Sequence, residues 1–375
     1  MKIGLLSLVL RGNYGGILQS YALQTVLERM GYDVFVLTRN RNIHVGPISL
    51  LLSWTKSVVQ IFGGKKISFF NPWRQNRELS KREQYTRAFT RKYIHTHVVK
   101  KLTKGLLNDV DAVIVGSDQV WRPRYFKKQW GTDISKAFLD FQEQPDIKRI
   151  AYAASFGTDK WEYDETETKR CRILIKKFNA VSVREQSGIE LCKKYLERED
   201  VKWVVDPTML LSQEDYERLI PRDVKAPGDV MCYVLDVNPT VSSVIKRIAE
   251  EGKYKVFYAN KSVSDTSVPA TARILPPVEQ WLAGLRDAKI VITDSFHACV
   301  FSILFHKPFI VIGNKDRGYS RFESLLSRFG LEYRLIENAT QVDESMFTPI
   351  SNEVYKKLEE YRKDSMNFLI KTLNC

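Results

Sequence analysis

The stretch from Lys289 to Gly313 constrains the fold more than any other part of this chain, because its pattern predicts strand, turn, helix and strand. His297 lies at the turn, so we expect its imidazole at the carboxyl end of a strand. Open α/β sheets bind ligands in the crevice outside those ends, and the first N–H groups of the following helix attract anions. The sequence therefore predicts that His297 meets a negatively charged small molecule.

A second strand end carries a complementary group. Residues 178–185 read as a short β-branched strand whose carboxyl end delivers Arg184. The alternative for His297 is a purely structural role, because Asp294 and Ser295 are ordinary N-cap residues and a first-turn histidine often only caps or packs. One arginine and one histidine at two strand ends nevertheless suit an anion, which favours a binding site.

Composition limits the class of protein. The chain has 375 residues, of which 44% are hydrophobic, enough for two or three domains with real cores. No apolar run reaches the roughly 18 residues of a membrane-spanning helix, and the first strand lacks a signal-peptide cleavage site. The five cysteines are scattered, without a Cys-x-x-Cys pair. We therefore expect a cytoplasmic globular protein, and we predict neither a metal site nor a cofactor.

Most of the net charge of +14 lies between residues 44 and 104, a segment with thirteen Lys or Arg residues and only two glutamates. Apolar residues recur there at helical spacing, which predicts a basic helical insertion. Such a helix suits an anionic membrane surface, and the alternative is a helix packed on the protein's own core beside a solvated basic face. Because no nucleic-acid-binding motif accompanies the charge, we expect no nucleic-acid partner.

Alternating strand and helix patterns predict two α/β domains. Five strand patterns place the first domain at residues 1–190, and five more, starting near residues 201–205, place the second at 200–345. A charged helix over 351–375 is expected to close the structure and pack back on the first domain. The predicted fold is α/β, with two Rossmann-like domains facing a central cleft as in glycosyltransferase-B proteins and the 44–104 insertion in the first. Arg184 and His297 would line that cleft.

Two loops of the first domain carry further candidates. The turn at residues 12–16 places Asn13, Gly15 and Gly16 at the first strand end, where a backbone without Cβ lets a ligand approach. After Val115, the side chains of Asp118 and Gln119 could hold or deprotonate a sugar hydroxyl, and Trp121 could offer a ring face to a pyranose. The alternatives are a plain strand-to-helix turn and a capping loop with a core tryptophan.

One loop of the second domain is basic. Lys315, Arg317 and Arg321 follow the strand after the His297 helix and could surround the same anion, although a solvated basic loop is the alternative.

The order of seven short motifs resembles the polysaccharide pyruvyl transferase family over most of the chain. The motifs are Gly12–Gln24, Val115–Trp121, Tyr152–Gly157, Ser182–Glu185, Val205–Thr208, Thr293–His297 and Ser320–Phe322. The resemblance implies a glycosyltransferase-B-like enzyme that moves a pyruvyl group from phosphoenolpyruvate onto sugars of bacterial surface polysaccharides or other glycans.

The resemblance also implies roles for named residues. The family's phosphoenolpyruvate site maps onto Arg184 and onto Ser295 and His297, and Ser295 stands where many members carry arginine. Lys315, Arg317 or Arg321 would supply the missing cation.

We expect Arg184 to hold the anions, His297 to protonate the enol or assist phosphate departure, and Asp118 or Asp294 to act as the base. The acceptor would be a saccharide, lipid-linked at the inner face of the membrane, and the product a cyclic pyruvate ketal. The alternative function is a glycosyltransferase that uses a nucleotide sugar.

Overall fold

The first of two parallel sheets holds the amino-terminal half of the chain. The structure, a computed structural model, describes residues 1–39, 72–260, 273–313 and 318–374. The strands are β1 Lys2–Leu6, β2 Asp33–Arg39, β3 Thr96–Val99, β4 Ala112–Val115, β5 Lys148–Ala154, β6 Ala180–Val183 and β7 Lys202–Trp203. Their spatial order is β3-β2-β1-β4-β5-β6-β7. From β1 the chain adds β2 and β3 on one side and then β4 on the other. The strand order therefore reverses between β1 and β4, which is where an open parallel sheet binds its ligands.

The second sheet has its own reversal point. It contains β8 Val230–Tyr233, β9 Val256–Tyr258, β10 Ile290–Thr293, β11 Phe309–Ile312 and β12 Leu335–Ile336, in the order β12-β11-β10-β8-β9. Here the order reverses between β8 and β10. His297 follows β10, so the sheet topology places it at the ligand-binding edge.

Helices cover both sheets. In the first half they are α1 Tyr14–Arg29, α2 Pro72–Arg82, α3 Gln84–Tyr93, α4 Pro123–Trp130, α5 Glu165–Ile175 and α6 Gln186–Leu196. The second half contains α7 Gln213–Glu217, α8 Pro239–Gly252, α9 Val278–Asp287, α10 Phe296–Leu304, α11 Tyr319–Phe329 and α12 Asn352–Asn374. Among the residues with a described structure, no helix is long and apolar enough to cross a membrane.

The first turn of α1 joins the two halves of the molecule. The Tyr14 ring stacks on Trp281 at 5.5 Å, and its hydroxyl donates a 2.7 Å hydrogen bond to the carbonyl of Pro276. Aromatic contacts of this kind stabilise the structure beyond the effect of the apolar area that they bury. The end of α1 that faces the ligand edge is thereby fixed against the second domain.

Two strands lie outside their predicted segments. The strand near residues 201–205 was expected to open the second domain, but Lys202 pairs with Ser182 in the first sheet. The physical reason is that α6 crosses over and returns β7 parallel to β6, as consecutive βαβ units do. Likewise β3 pairs with β2, so the end of the 44–104 segment is an edge strand and not helix. Residues 44–71 of the insertion lie outside the described residues.

The carboxyl-terminal helix α12 contacts the first domain. The Ser365 hydroxyl accepts a 3.0 Å hydrogen bond from the Val205 amide, and the Lys148 ammonium donates one of 2.6 Å to the carbonyl of Leu373. Phe368 adds a ring contact with Tyr152. The helix therefore ties the second half of the chain back to the first sheet.

Candidate functional site

A cleft of about 1240 Å³ lies between the two domains. The loops after β1, β4, β8 and β10 all contribute to its lining, so the reversal points of both sheets open into the same space. That is the position at which both sheets should bind ligands. Of the residues predicted from sequence, Asn13, Asp118, Gln119, Asp294, Ser295, His297 and Arg321 line the cleft.

His297 is buried in the first turn of α10, with 5% of its surface exposed. A Cβ on Gly15, in the first turn of α1, would overlap the imidazole, so the two domains meet at this ring. Burial lowers the pKa of His297, and the nearby Asp206 and Asp118 only partly oppose this. Among the described residues, its Nε2 atom has no hydrogen-bond partner. A buried imidazole nitrogen without a partner indicates a place for a ligand atom.

Arg184 lies behind the wall of the cleft and not on its surface. Its side chain is 1% exposed and contacts three carboxylates, at 2.9 Å from Glu185, 2.7 Å from Asp206 and 3.2 Å from Asp118. Burial alone would lower its pKa, but those carboxylates raise it above the usual range. The guanidinium also lies 4.3 Å from the centre of the Phe296 ring. In this arrangement Arg184 holds carboxylates, so direct contact with an anionic ligand requires it to exchange partners.

Asp206 is the site residue that the sequence motifs did not single out for a role. Its Oδ1 atom accepts hydrogen bonds from the amide and hydroxyl of Thr208, at 3.0 and 2.7 Å, which fix the turn after β7. Its Oδ2 atom lies 3.7 Å from Nε2 of His297. Burial opposes its ionisation, but His297 and Arg184 lower the pKa of Asp206 below its usual value. The only sequence signal was its place in the motif at residues 205–208.

Asp118 brings a carboxylate to the lining of the cleft. Its backbone has a φ of 53°, in the left-handed region that non-glycine residues rarely adopt. Burial raises the pKa of Asp118, but Arg184, His297 and Arg321 outweigh burial and lower it. Asp118 is therefore ionised at neutral pH, and it faces the cleft as a hydrogen-bond acceptor.

Arg321, on α11, is the cation that the second domain contributes to the described cleft wall. It lies 5.6 Å from the centre of the Phe296 ring on which Arg184 also packs. Burial and the proximity of Arg184 lower the pKa of Arg321 to about 10, so the side chain stays charged at neutral pH. Lys315 and Arg317 lie outside the described residues.

Asp294 and Ser295 have structural partners. The Asp294 carboxylate accepts hydrogen bonds from the amides of Leu235 and Asp236, at 2.7 and 2.8 Å, and so fastens the loop after β8 to the loop after β10. The Ser295 amide donates a 3.0 Å hydrogen bond to the Thr293 hydroxyl. These contacts tie Asp294 into the loop structure, whereas the Asp118 carboxylate lines the cleft.

The structure also shows the surroundings of four other predicted residues. Gln119 accepts a 3.0 Å hydrogen bond from Arg122, and a Cβ on Gly157 would overlap its amide. Gly16 packs beside Asn13, whose side chain makes no capping hydrogen bond to α1. The prediction that Trp121 offers a ring face to a sugar is wrong, because this side chain is fully buried and its indole N–H donates a hydrogen bond to the carbonyl of Ala137. The bulky indole completes the core, as the alternative reading had it.

Sequence reasoning missed a charged group on the first-domain wall of the cleft. Arg11, Arg82 and Glu83 line it, and Glu83 accepts a hydrogen bond from the Gly12 amide at 3.2 Å. Arg82 and Glu83 belong to the segment that was read only as a basic insertion. Spacing alone gave no sign that the end of α2 returns to the ligand edge of the sheet.

Comparison with known proteins yields a family and a fold. The family model described as polysaccharide pyruvyl transferase matches residues 13–316. No curated protein sequence matches this chain. Among solved structures, a UDP-N-acetylglucosamine 2-epimerase is similar at 12% identity and a TM-score of 0.50, over 98% of this chain and 94% of that one. This likeness confirms the predicted glycosyltransferase-B-like fold of two Rossmann-like domains.

Two further structures have lower scores. The UDP-GlcNAc 2-epimerase from Neisseria meningitidis, bound to UDP-GlcNAc, is 11% identical with a TM-score of 0.48, and the match covers 100% of this chain and 99% of that one. A putative UDP-N-acetylglucosamine 2-epimerase from Listeria monocytogenes is 11% identical with a TM-score of 0.49, over 99% and 91% of the two chains.

Proposed function

This chain belongs to the polysaccharide pyruvyl transferase family, and from that premise we propose that it transfers the pyruvyl unit of phosphoenolpyruvate to two hydroxyls of a saccharide. The product is a cyclic pyruvate ketal in surface polysaccharide biosynthesis, and inorganic phosphate leaves. A single observation carries the proposal: the buried Nε2 of His297 lacks a hydrogen-bond partner among the described residues and lies beside two carboxylates of the other domain. Such a group can move a proton to or from a ligand in the cleft.

The reaction needs one proton to reach carbon and one to reach phosphate. The first hydroxyl oxygen bonds to C2 of phosphoenolpyruvate while C3 takes a proton, which leaves a saturated phosphoryl ketal. The second hydroxyl then displaces phosphate at C2 and gives up its proton, and the ring closes. Because its pKa is lowered, His297 is neutral at pH 7 and acts first as a base toward the hydroxyl. As imidazolium it can then deliver that proton to C3.

Other residues prepare the site for this transfer. Arg321 is the described cation that would bind the carboxylate or phosphate of the donor, with Lys315 and Arg317 retained as candidates from the sequence. Asp118 would accept a hydrogen bond from an acceptor hydroxyl. Arg184 would keep Asp118 and Asp206 ionised and aligned, in place of the direct anion contact expected from sequence.

The basic segment suggests where the acceptor is carried. We expect a lipid-linked saccharide at the cytoplasmic face of the cell membrane, with segment 44–104 against anionic headgroups. In the described part, the last turn of α3 carries Arg91 and Lys92. Sedimentation with phosphatidylglycerol vesicles should carry the protein down at low salt and not at high salt. Equal sedimentation with neutral phosphatidylcholine vesicles would contradict a charge-driven contact.

The test of the activity is direct. The protein is incubated with phosphoenolpyruvate and a panel of galactose-containing acceptors, and released phosphate and new carboxyethylidene methyl signals are measured together. The proposal expects one phosphate per ketal, and loss of both in a folded His297→Ala variant. Phosphate release without a ketal, or no release with any acceptor, would contradict it.

The second candidate is transfer from a nucleotide sugar. Ser295, where the family resemblance places an arginine, is the observation that favours it, because one cation toward phosphoenolpyruvate is then replaced by a neutral hydroxyl. A thermal shift with UDP-sugars and none with phosphoenolpyruvate would select this function over pyruvyl transfer.

A further inference from the structure

An exposed apolar patch lines the second-domain side of the cleft. Leu235, Val237 and Tyr258 are 42%, 71% and 57% exposed, and all three belong to the cleft lining. Large apolar side chains exposed together inside a cleft indicate a surface that a ligand covers. We call these three residues the apolar platform.

Sheet topology brings the platform together. Tyr258 ends β9, and its Cα is the register partner of Cys232 in the neighbouring parallel strand β8. Leu235 and Val237 follow the end of β8 directly. Because parallel strands end at the same edge, these three residues lie at the edge where the second sheet presents its ligand-binding loops, and all three line the cleft.

Hydrogen bonds connect the loop of the apolar platform to the segment that carries His297. The Asp294 carboxylate accepts hydrogen bonds from the amides of Leu235 and Asp236, and Asp294 precedes His297 by three residues. A molecule seated on the platform therefore lies along the same rim as His297. Asp294 can therefore act by positioning this loop, without taking part in proton transfer.

The charge pattern identifies the class of ligand. Asp236 is the charged side chain that the platform's own loops bring to the described lining, whereas Arg11 and Arg82 lie on the first-domain wall and Arg321 on α11. A carboxylate beside an apolar surface repels an anion and accepts hydrogen bonds from hydroxyls. Asn260 and Ser242 add polar groups to the same lining, and the Asn260 amide is fixed by its hydrogen bond to the Val234 carbonyl.

Building on the proposed function, we propose that the apolar platform is the acceptor subsite and takes a neutral pyranose ring, with the sugar's apolar face against Tyr258. The donor of the proposed reaction is small and carries two anionic groups, a carboxylate and a phosphate, so it suits the Arg321 side of the cleft. A cleft of about 1240 Å³ is larger than that donor needs and leaves room for a sugar beside it.

The experiment measures sugar binding separately from chemistry. Saturation-transfer NMR with methyl pyranosides of galactose, glucose, mannose and N-acetylglucosamine compares the wild type with Tyr258→Ala, Tyr258→Phe and Tyr333→Ala. Tyr333 is the matched control, because it is an exposed tyrosine (45%) outside the cleft lining. We expect Tyr258→Ala to weaken binding about tenfold, and Tyr258→Phe to stay within about twofold, because the ring and not the hydroxyl makes the contact. Tyr333→Ala should bind like the wild type.

Two outcomes would overturn the subsite. One is equal binding by the wild type and Tyr258→Ala, and the other is no binding of any pyranoside together with Tyr258-dependent binding of UDP. The proposed function fails separately. Tyr258-dependent sugar binding without phosphate release from phosphoenolpyruvate would leave the subsite standing, and ketal formation by Tyr258→Ala with an unchanged acceptor KM would remove the subsite alone.

Discussion

Asp206 and His297 come from opposite sides of the domain boundary, and the Asp206 Oδ2 atom lies 3.7 Å from the histidine Nε2. The carboxylate is held by hydrogen bonds from Arg184 and Thr208. At 3.7 Å it makes no hydrogen bond to the imidazole, but its charge favours the protonated form of His297. Nε2 therefore stays open to a substrate atom while a fixed negative charge lies beside it.

The first prediction concerns pH. Asp206 raises the pKa of His297, so Asp206→Asn should lower that pKa further and move the acidic limb of kcat/KM to lower pH. The turnover number should fall about 10- to 100-fold, because the imidazolium formed during proton transfer loses a neighbouring negative charge. Profiles from pH 4 to 9 for both proteins measure this. A limb that stays in place would mean that His297 is not the group whose deprotonation the rate follows.

The buried arginine should matter for stability as well. Arg184→Gln leaves three carboxylates without their shared cation, which should cost about 3–5 kcal/mol in the free energy of unfolding. Folding holds the pKa values of Asp118 and Asp206 below 3.8, so this stabilisation is present above about pH 4 and is lost as pH falls through the folded pKa values. Urea unfolding at pH 7 and pH 3 should show a smaller difference between the two proteins at the lower pH. A constant difference would exclude these carboxylates as its source.

Glycine at position 15 should be required for geometry. A Cβ there would overlap the His297 ring, so Gly15→Ala must displace the imidazole or open the domain boundary, and we expect activity to fall about 100-fold. Gly16→Ala is the comparison, because its Cβ would lie 3.2 Å from the Asn13 amide and should be accommodated by a small shift. Similar losses in the two variants would show that general disturbance of α1, and not contact with His297, is responsible.

Substitutions of Asp118 and Asp294 should have different effects on the kinetic constants. Asp118→Asn removes a carboxylate that faces the substrate and should lower kcat by about 10²- to 10⁴-fold. Asp294→Asn keeps an oxygen for one amide of the loop after β8 and should raise the acceptor KM more than it lowers kcat. Steady-state kinetics with both substrates varied separate the two effects. The reverse pattern would return Asp294 to the role of base.

Sequence patterns predicted the parallel sheets and their ligand-binding edge more accurately than they predicted the contacts within the site. The strands at 180–183, 290–293 and 309–312 have the predicted bounds, because buried parallel strands are short apolar runs with sharp polar ends. The strand at 202–203 was assigned to the wrong sheet, since two residues carry no periodicity that reveals their partner.

The site departed from expectation where contacts are long-range. The position of Arg184 after β6 was predictable, but the burial of its guanidinium among Glu185, Asp206 and Asp118 was not. Asp206 was hidden for the same reason, because its partner His297 is 91 residues away in sequence. Spacing along the chain places backbone at an edge and does not reveal which side chains neutralise one another across it.

The most direct measurement of the central claim is a crystal structure with phosphoenolpyruvate bound. We predict that the donor lies in the interdomain cleft, with an anionic group within hydrogen-bond distance of Arg321 and its C2–C3 bond next to His297 Nε2. Phosphoenolpyruvate bound away from His297, for example at Arg11 and Arg82 alone, would contradict the assignment of His297 as the group that moves the proton.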